Sequence, residues 1–145
     1  MSRDQKVSDR IYSYLTATFG EEAAKNYNDF VGEEPAKYIR VNERKIKREI
    51  LATRLFDTYG IKTEVVPYPS NVLKIIDGFD YAGSTLEIAF GFYYLQALTS
   101  MLPPLILNPS SKDLVLDLCS APGSKTTQIA ELMENKGVFI VNELE

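Results

Sequence analysis

The stretch DLCSAPGSKTTQIAEL, Asp117 to Leu132, sets an acid, a cysteine, a proline, a glycine and a lysine between a short apolar run and a helical pattern. In an open parallel sheet, ligands sit beyond the carboxyl ends of the strands, where the loop after a strand meets the next helix. Here that loop is CSAPGSK. Pro122 fixes φ, Gly123 permits close approach of the backbone, and the first amides of the helix, Ser124 to Thr127, are free to face a ligand. Such a turn favours an anionic or electron-rich group.

Two common phosphate fingerprints do not fit. In a phosphate-binding P-loop, glycine and lysine are adjacent and follow an earlier glycine; here Ser124 separates Gly123 from Lys125. The glycine pattern of dinucleotide folds is also absent. The remaining clue is Glu143, at the tip of the run GVFIVN, where a carboxylate can accept both hydroxyls of a ribose. Strand, loop, helix, strand and acid suggest an adenosine-containing ligand, with a plain packing turn as the alternative. Asp117 either orders the loop by accepting backbone amides or merely caps the turn. Lys125 opposes the helix dipole where it stands, which a ligand carboxylate would compensate.

The elements that must position these residues follow from periodicity. VSDRIYSYLTATFG repeats apolar residues every fourth position up to Gly20 and predicts a helix, with a second over EEAAKNYNDFVG. KYIRVN reads as a strand, ERKIKREILATRLFDTYG as a helix closed by Gly60, TEVVPYP as a strand limited by Pro67, and VLKII as a short element nearby. The composition turns apolar from Ser84, predicting a joint at Gly91, a helix over Tyr93 to Leu102 and a descent through Pro103 and Pro104. On that helix Gln96 and Ser100 would share a face, toward either the cofactor or the preceding domain. DLVLDL, SKTTQIAELMEN and GVFIVNE then form a strand, helix, strand unit of a parallel sheet. The expected class is α/β: N-terminal helices with a small RRM-like α/β domain over 1–83, then an incomplete Rossmann-like domain over 84–145.

Two parallel strands with one helix leave an edge unpaired and a face bare. The expectation is that a missing C-terminal portion or a partner subunit supplies the cover.

The net charge of −4 gives no global attraction to nucleic acid. Locally, RVNERKIKRE sets Arg40, Arg44, Lys45, Lys47 and Arg48 against Glu43 and Glu49, a basic run suited to phosphate contacts. The chain has no histidine and one cysteine, which leaves neither a disulfide nor a zinc cage to build. No apolar stretch is long enough for a membrane span or placed as a signal peptide, so a cytoplasmic location is expected.

YLQALTSMLPPLILNP, VLDLCSAPGSKTTQIAELMENKG and IVNE together resemble the AdoMet-dependent RNA cytosine-C5 methyltransferases of the Nop2/Sun/RsmB type, over roughly Gly91 to Glu145. Weaker similarity surrounds KYIRVN. The resemblance implies S-adenosyl-L-methionine as cofactor, with Cys119, Ser120, Ala121, Pro122, Gly123, Ser124 and Lys125 along its methionine and sugar side and Glu143 on the ribose. Asp117, Gln96 and Ser100 would support the site. The family more often has alanine at position 120, glycine at 124 and aspartate at 143, replacements that keep the chemistry. It also implies an RNA substrate, ribosomal RNA before transfer RNA, gripped partly by the N-terminal domain.

C5 of cytosine is a poor nucleophile until a thiolate adds to C6. In the family the two working cysteines lie in motifs absent here, and Cys119 matches neither. No catalytic residue and no metal ligand is therefore expected in this chain, which alone should be inactive. A stand-alone RNA-binding accessory protein, or the AdoMet-binding half of a split enzyme, is the alternative.

Overall fold

The computed structural model describes residues 7–32 and 35–144. Contacts divide the chain into two compact units, 1–35 and 36–145. In the first, helices α1 (Asp9–Phe19) and α2 (Glu21–Gly32) pack on each other, separated by Gly20. Gly20 ends α1 by donating its N–H to Thr16 O at 3.0 Å with φ of 87°, a conformation glycine adopts without penalty.

The second unit opens with β1 (Lys37–Val41), α3 (Arg48–Tyr59), β2 (Lys62–Val65) and β3 (Val72–Asp77). Two single-turn helices, α4 (Phe79–Ala82) and α5 (Leu86–Ala89), lead to β4 (Tyr93–Leu95). The four strands form one antiparallel sheet in the order β2-β3-β1-β4. Because side chains alternate along a strand, Ile39 and Val41 point to one face and Arg40 to the other. Ile39 and Val41 join Leu51, Leu55, Ile61, Leu73, Ile75, Ala82 and Tyr93 in the core beneath α3. Each large aliphatic member contributes roughly 1.5–3 kcal/mol by leaving water. Gly60, at φ of 69°, closes α3 by donating to the carbonyls of Leu55 and Phe56.

The rest of the unit comprises α6 (Leu98–Leu107), β5 (Leu114–Asp117), α7 (Ser124–Leu132) and β6 (Val138–Val141). β5 and β6 pair in parallel, Leu114 opposite Val138 through Asp117 opposite Val141. Gly137 makes the return possible: its φ is 77°, and a Cβ there would meet Asp113 O at 2.7 Å. The apolar sheet residues Leu114, Leu116, Val138, Ile140 and Val141 are all at least half exposed. Leu114, Leu116, Val138 and Ile140 share one face, which is uncovered in the isolated chain, and Val141 stands on the other.

The sequence expectation fails in one segment. Tyr93–Leu95 is a strand, and the helix runs over Leu98–Leu107 with Pro103 and Pro104 inside it. β4 forms because β1 offers it a partner, with Ile39, Arg40 and Val41 opposite Leu95, Tyr94 and Tyr93. Pro104 cannot donate to Ser100 O as an ordinary residue would. The Gln96 side-chain amide occupies that carbonyl instead, at 3.1 Å. β4 completes the sheet begun at Lys37, and the contact-based division falls at 35/36.

Candidate functional site: the turn between β5 and α7

The loop after β5 is held by hydrogen bonds from both of its ends. Asp117 Oδ1 accepts the N–H of Cys119 at 3.1 Å, and Asp117 Oδ2 accepts the Thr126 hydroxyl at 2.7 Å. One carboxylate thus ties the end of β5 to the first turn of α7. Ser120 donates its N–H to Asn142 O at 3.1 Å, and Gly123 closes the turn by donating to Ser120 O at 2.7 Å. The Ala121–Pro122 peptide is cis. Gly123 has φ of 99°, with nothing within 4 Å of where a Cβ would stand, so this side of the turn is open.

Glu143 follows β6, one strand away, and reaches back. Its Oε2 accepts the N–H of Ala121 at 2.7 Å, while Oε1 accepts the N–H of Leu144 at 2.9 Å. Each carboxylate oxygen retains a lone pair, and the side chain is exposed, so two more donors can be accepted. Thr127 is the first residue of α7 to donate back to the turn, to Gly123 O at 2.9 Å. The N–H groups before it have no intrahelical acceptor. Lys125 and Asp117 line a groove of about 250 Å³ with Pro103, Pro104, Leu107, Val115, Leu116, Leu118 and Ile129.

The chemistry of this donor set fits an adenosine-bearing cofactor with a charged tail. Exposed helix-end amides and Lys125 can face a carboxylate, and Glu143 can accept ribose hydroxyls. Cys119 is exposed and unpaired. Among the described residues no cluster of three metal-ligating side chains occurs, and no helix is long and apolar enough to cross a membrane.

Gln96 and Ser100 do not share a helical face. Gln96 lies buried between β4 and α6, where its amide donates to Ser100 O and to Gln128 Oε1 at 3.2 Å. Gln128 in turn donates to Met101 O at 3.0 Å. The pair acts within the protein, holding α6 against α7.

The basic run also divides. Arg40 is only 1% exposed and cannot be a phosphate-binding side chain, because the strand alternation turns it inward toward α7. Its guanidinium donates to Gln96 Oε1, to Ser124 O at 2.6 Å, to Thr127 Oγ1 at 2.8 Å and to Glu131 Oε1 at 3.1 Å. Burial lowers the Arg40 pKa and raises that of Glu131, each opposed by the other's charge. The remaining basic residues stand around the turn before α3. Lys45 donates to Phe90 O at 2.7 Å, and Arg48 is engaged by Glu49 and Ser70 O. Arg44 and Lys47 have no acceptor among the described residues, and Arg44 lines a cleft of about 280 Å³ with Tyr68, Asn71 and Glu131.

The family described as 16S rRNA methyltransferase RsmB/F matches residues 104–145, a span that contains β5, the loop, α7 and Glu143. Over this span the chain is similar to the Nop2/Sun/RsmB-F family. A 26S rRNA (cytosine-C(5))-methyltransferase, nsun-1 of Caenorhabditis elegans, is 40% identical over 105 residues, covering 72% of this chain and 16% of that protein. Ribosomal RNA small subunit methyltransferase F of Shewanella woodyi is 40% identical over 110 residues, covering 72% and 23%. The chain therefore spans only about a fifth of the length of these family members. Among solved structures, a methyltransferase homologue from Pyrococcus horikoshii superposes with a TM-score of 0.75 at 30% identity, covering 93% of this chain and 44% of that one. NSun6 from the same organism, solved with SFG, superposes at 0.78 and 21% identity over 92% and 58%, and so shares the fold.

Sequence reasoning overlooked Arg40 as an internal group, together with Tyr94 and Gln128. For Arg40 a signal existed: it lies between Ile39 and Val41 in a strand, and such a position faces whatever covers the second side of the sheet.

Proposed function

We propose that this chain forms the cofactor-side portion of an AdoMet-dependent RNA cytosine-C5 methyltransferase, acting on ribosomal RNA. The observation that carries the reading is the Glu143 carboxylate held 2.7 Å from the Ala121 amide, beside the open turn at Gly123 and within the matched span. AdoMet, when bound, supplies an activated methyl group. The chain's own residues bind and orient: Glu143 accepts the ribose hydroxyls, the α7 amides and Lys125 face the carboxylate, and Asp117 keeps the turn in shape. Addition of a thiolate to the base is assigned to no residue here, because Cys119 sits in the cofactor turn with its N–H on Asp117.

The four-stranded sheet supports the finer reading of the small domain. Its order β2-β3-β1-β4, with α3 crossing between β1 and β2, is that of a split βαβ fold of the RRM type. RNA contact is assigned to the turn carrying Arg44 and Lys47.

The test is equilibrium binding of methyl-labelled AdoMet to the 145-residue protein, with and without a ribosomal RNA fragment. Retention of label by the protein with none transferred to RNA is expected. Transfer of label to cytosine by these 145 residues alone would overturn the assignment of Cys119.

A further inference from the structure

Arg40 and Tyr94 are cross-strand partners on β1 and β4, and their side chains stand on the face opposite the α3 core. The guanidinium lies over the Tyr94 ring, 5.6 Å from its centroid. Each holds one carbonyl of the cofactor turn: Tyr94 donates its hydroxyl to Pro122 O at 3.0 Å, and Arg40 donates to Ser124 O at 2.6 Å. These two carbonyls flank Gly123. In a trans peptide the C=O and the following N–H point in opposite directions. Holding Ser124 O therefore aims the Lys125 N–H away from the sheet, and holding Pro122 O fixes the Gly123 N–H that closes the turn on Ser120.

We infer that Arg40 and Tyr94 are positioning residues that set the ligand-facing amides of the Gly123 turn from behind, so that the small sheet and not the turn alone determines cofactor affinity. The inference rests on the proposed cofactor reading. Stability alone is a poor account of the arrangement. Arg40 is buried with its Nε unpartnered, and a buried ion pair often stabilises less than an apolar packing of the same volume. What the guanidinium provides is several fixed donors aimed at acceptors on β4's flank and on two turns of α7. A lysine ammonium cannot span that fork.

The test uses Tyr94→Phe, which removes only a half-buried hydroxyl, with Arg40→Lys as the second variant. Three quantities are measured: amide hydrogen exchange at Gly123 to Thr127 without ligand, AdoMet affinity by calorimetry, and the melting temperature. Tyr94→Phe is expected to speed exchange in the turn and to weaken AdoMet about three- to tenfold, the effect of one lost hydrogen bond, with little change in melting. Arg40→Lys is expected to weaken binding further, without rescue by the retained charge. Unchanged exchange and unchanged affinity in Tyr94→Phe would overturn the inference. Wild-type protein that binds no AdoMet would instead overturn the functional reading, and exchange in the unliganded turn would then decide on the brace by itself.

Discussion

The Glu143 carboxylate accepts the Ala121 amide at 2.7 Å, which joins the tip of β6 to the turn that follows β5. An acid on one strand is thereby fixed relative to the amides that follow the other. Glu143→Ala removes both this brace and the acceptor proposed for ribose hydroxyls. Hydrogen bonds to charged groups contribute about 1.5–3 kcal/mol, so affinity for AdoMet is expected to fall about ten- to a hundredfold. Glu143→Gln keeps one acceptor oxygen and should fall between the two. Titration calorimetry across the three proteins checks the order.

Burial pushes the Glu131 carboxyl above its ordinary value of 4.5, with the nearby Arg40 guanidinium opposing the shift. Arg40 remains a cation at any pH at which the protein folds. A carboxyl raised on folding takes its proton more readily in the folded state. Its stabilising contribution is therefore present below 4.5 and lost as pH rises through the folded value. Urea denaturation of wild type and Glu131→Gln should show the stability difference, wild type minus variant, growing as pH falls from neutral toward that window. A difference that shrinks on acidification would contradict the assigned direction.

Arg44 and Lys47 are the cations of the basic turn without a protein acceptor among the described residues, whereas Lys45 and Arg48 are engaged. Each phosphate contact on single-stranded RNA contributes about 0.7 to the slope of log K against log salt. Neutralising Arg44 and Lys47 together should lower that slope by about 1.4 units, and neutralising Lys45 and Arg48 by less. Filter binding over a salt series measures both. Equal effects of the two pairs would remove the distinction.

Gly137→Ala introduces a Cβ that would lie 2.7 Å from Asp113 O at a backbone with φ of 77°. The substitution is expected to destabilise the protein by about 1–3 kcal/mol, the cost of strain at a left-handed position with no room to relax. Thermal melting checks it, and Gly83→Ala, at φ of −81° with nothing within 4 Å, supplies the milder control.

Much of the architecture was legible along the chain because its signals are local. The four-residue apolar repeat ending at Gly20, the helix closed by Gly60 and the apolar runs around CSAPGSK each fix an element through backbone chemistry near at hand. Tyr93–Leu95 was not legible as a strand, since its extended form depends on pairing with β1, far away in sequence. Nor could Pro103 and Pro104 be read as helical, because the compensating donor is a buried amide side chain outside the helix. Arg40 was misplaced for the same reason: a charge run read along the chain looks solvated, while its acceptor Ser124 O lies 84 positions on. The turn's own chemistry was visible in advance, but the sheet residues behind it were not.

In the proposed function the turn from Cys119 to Lys125, together with Glu143, holds AdoMet. The most direct measurement is calorimetric titration of AdoMet into the wild-type protein and into Lys125→Ala and Glu143→Ala. Saturable one-to-one binding, weakened in both variants, is the predicted result. Absence of binding by the wild type, or equal affinity in all three proteins, would contradict it.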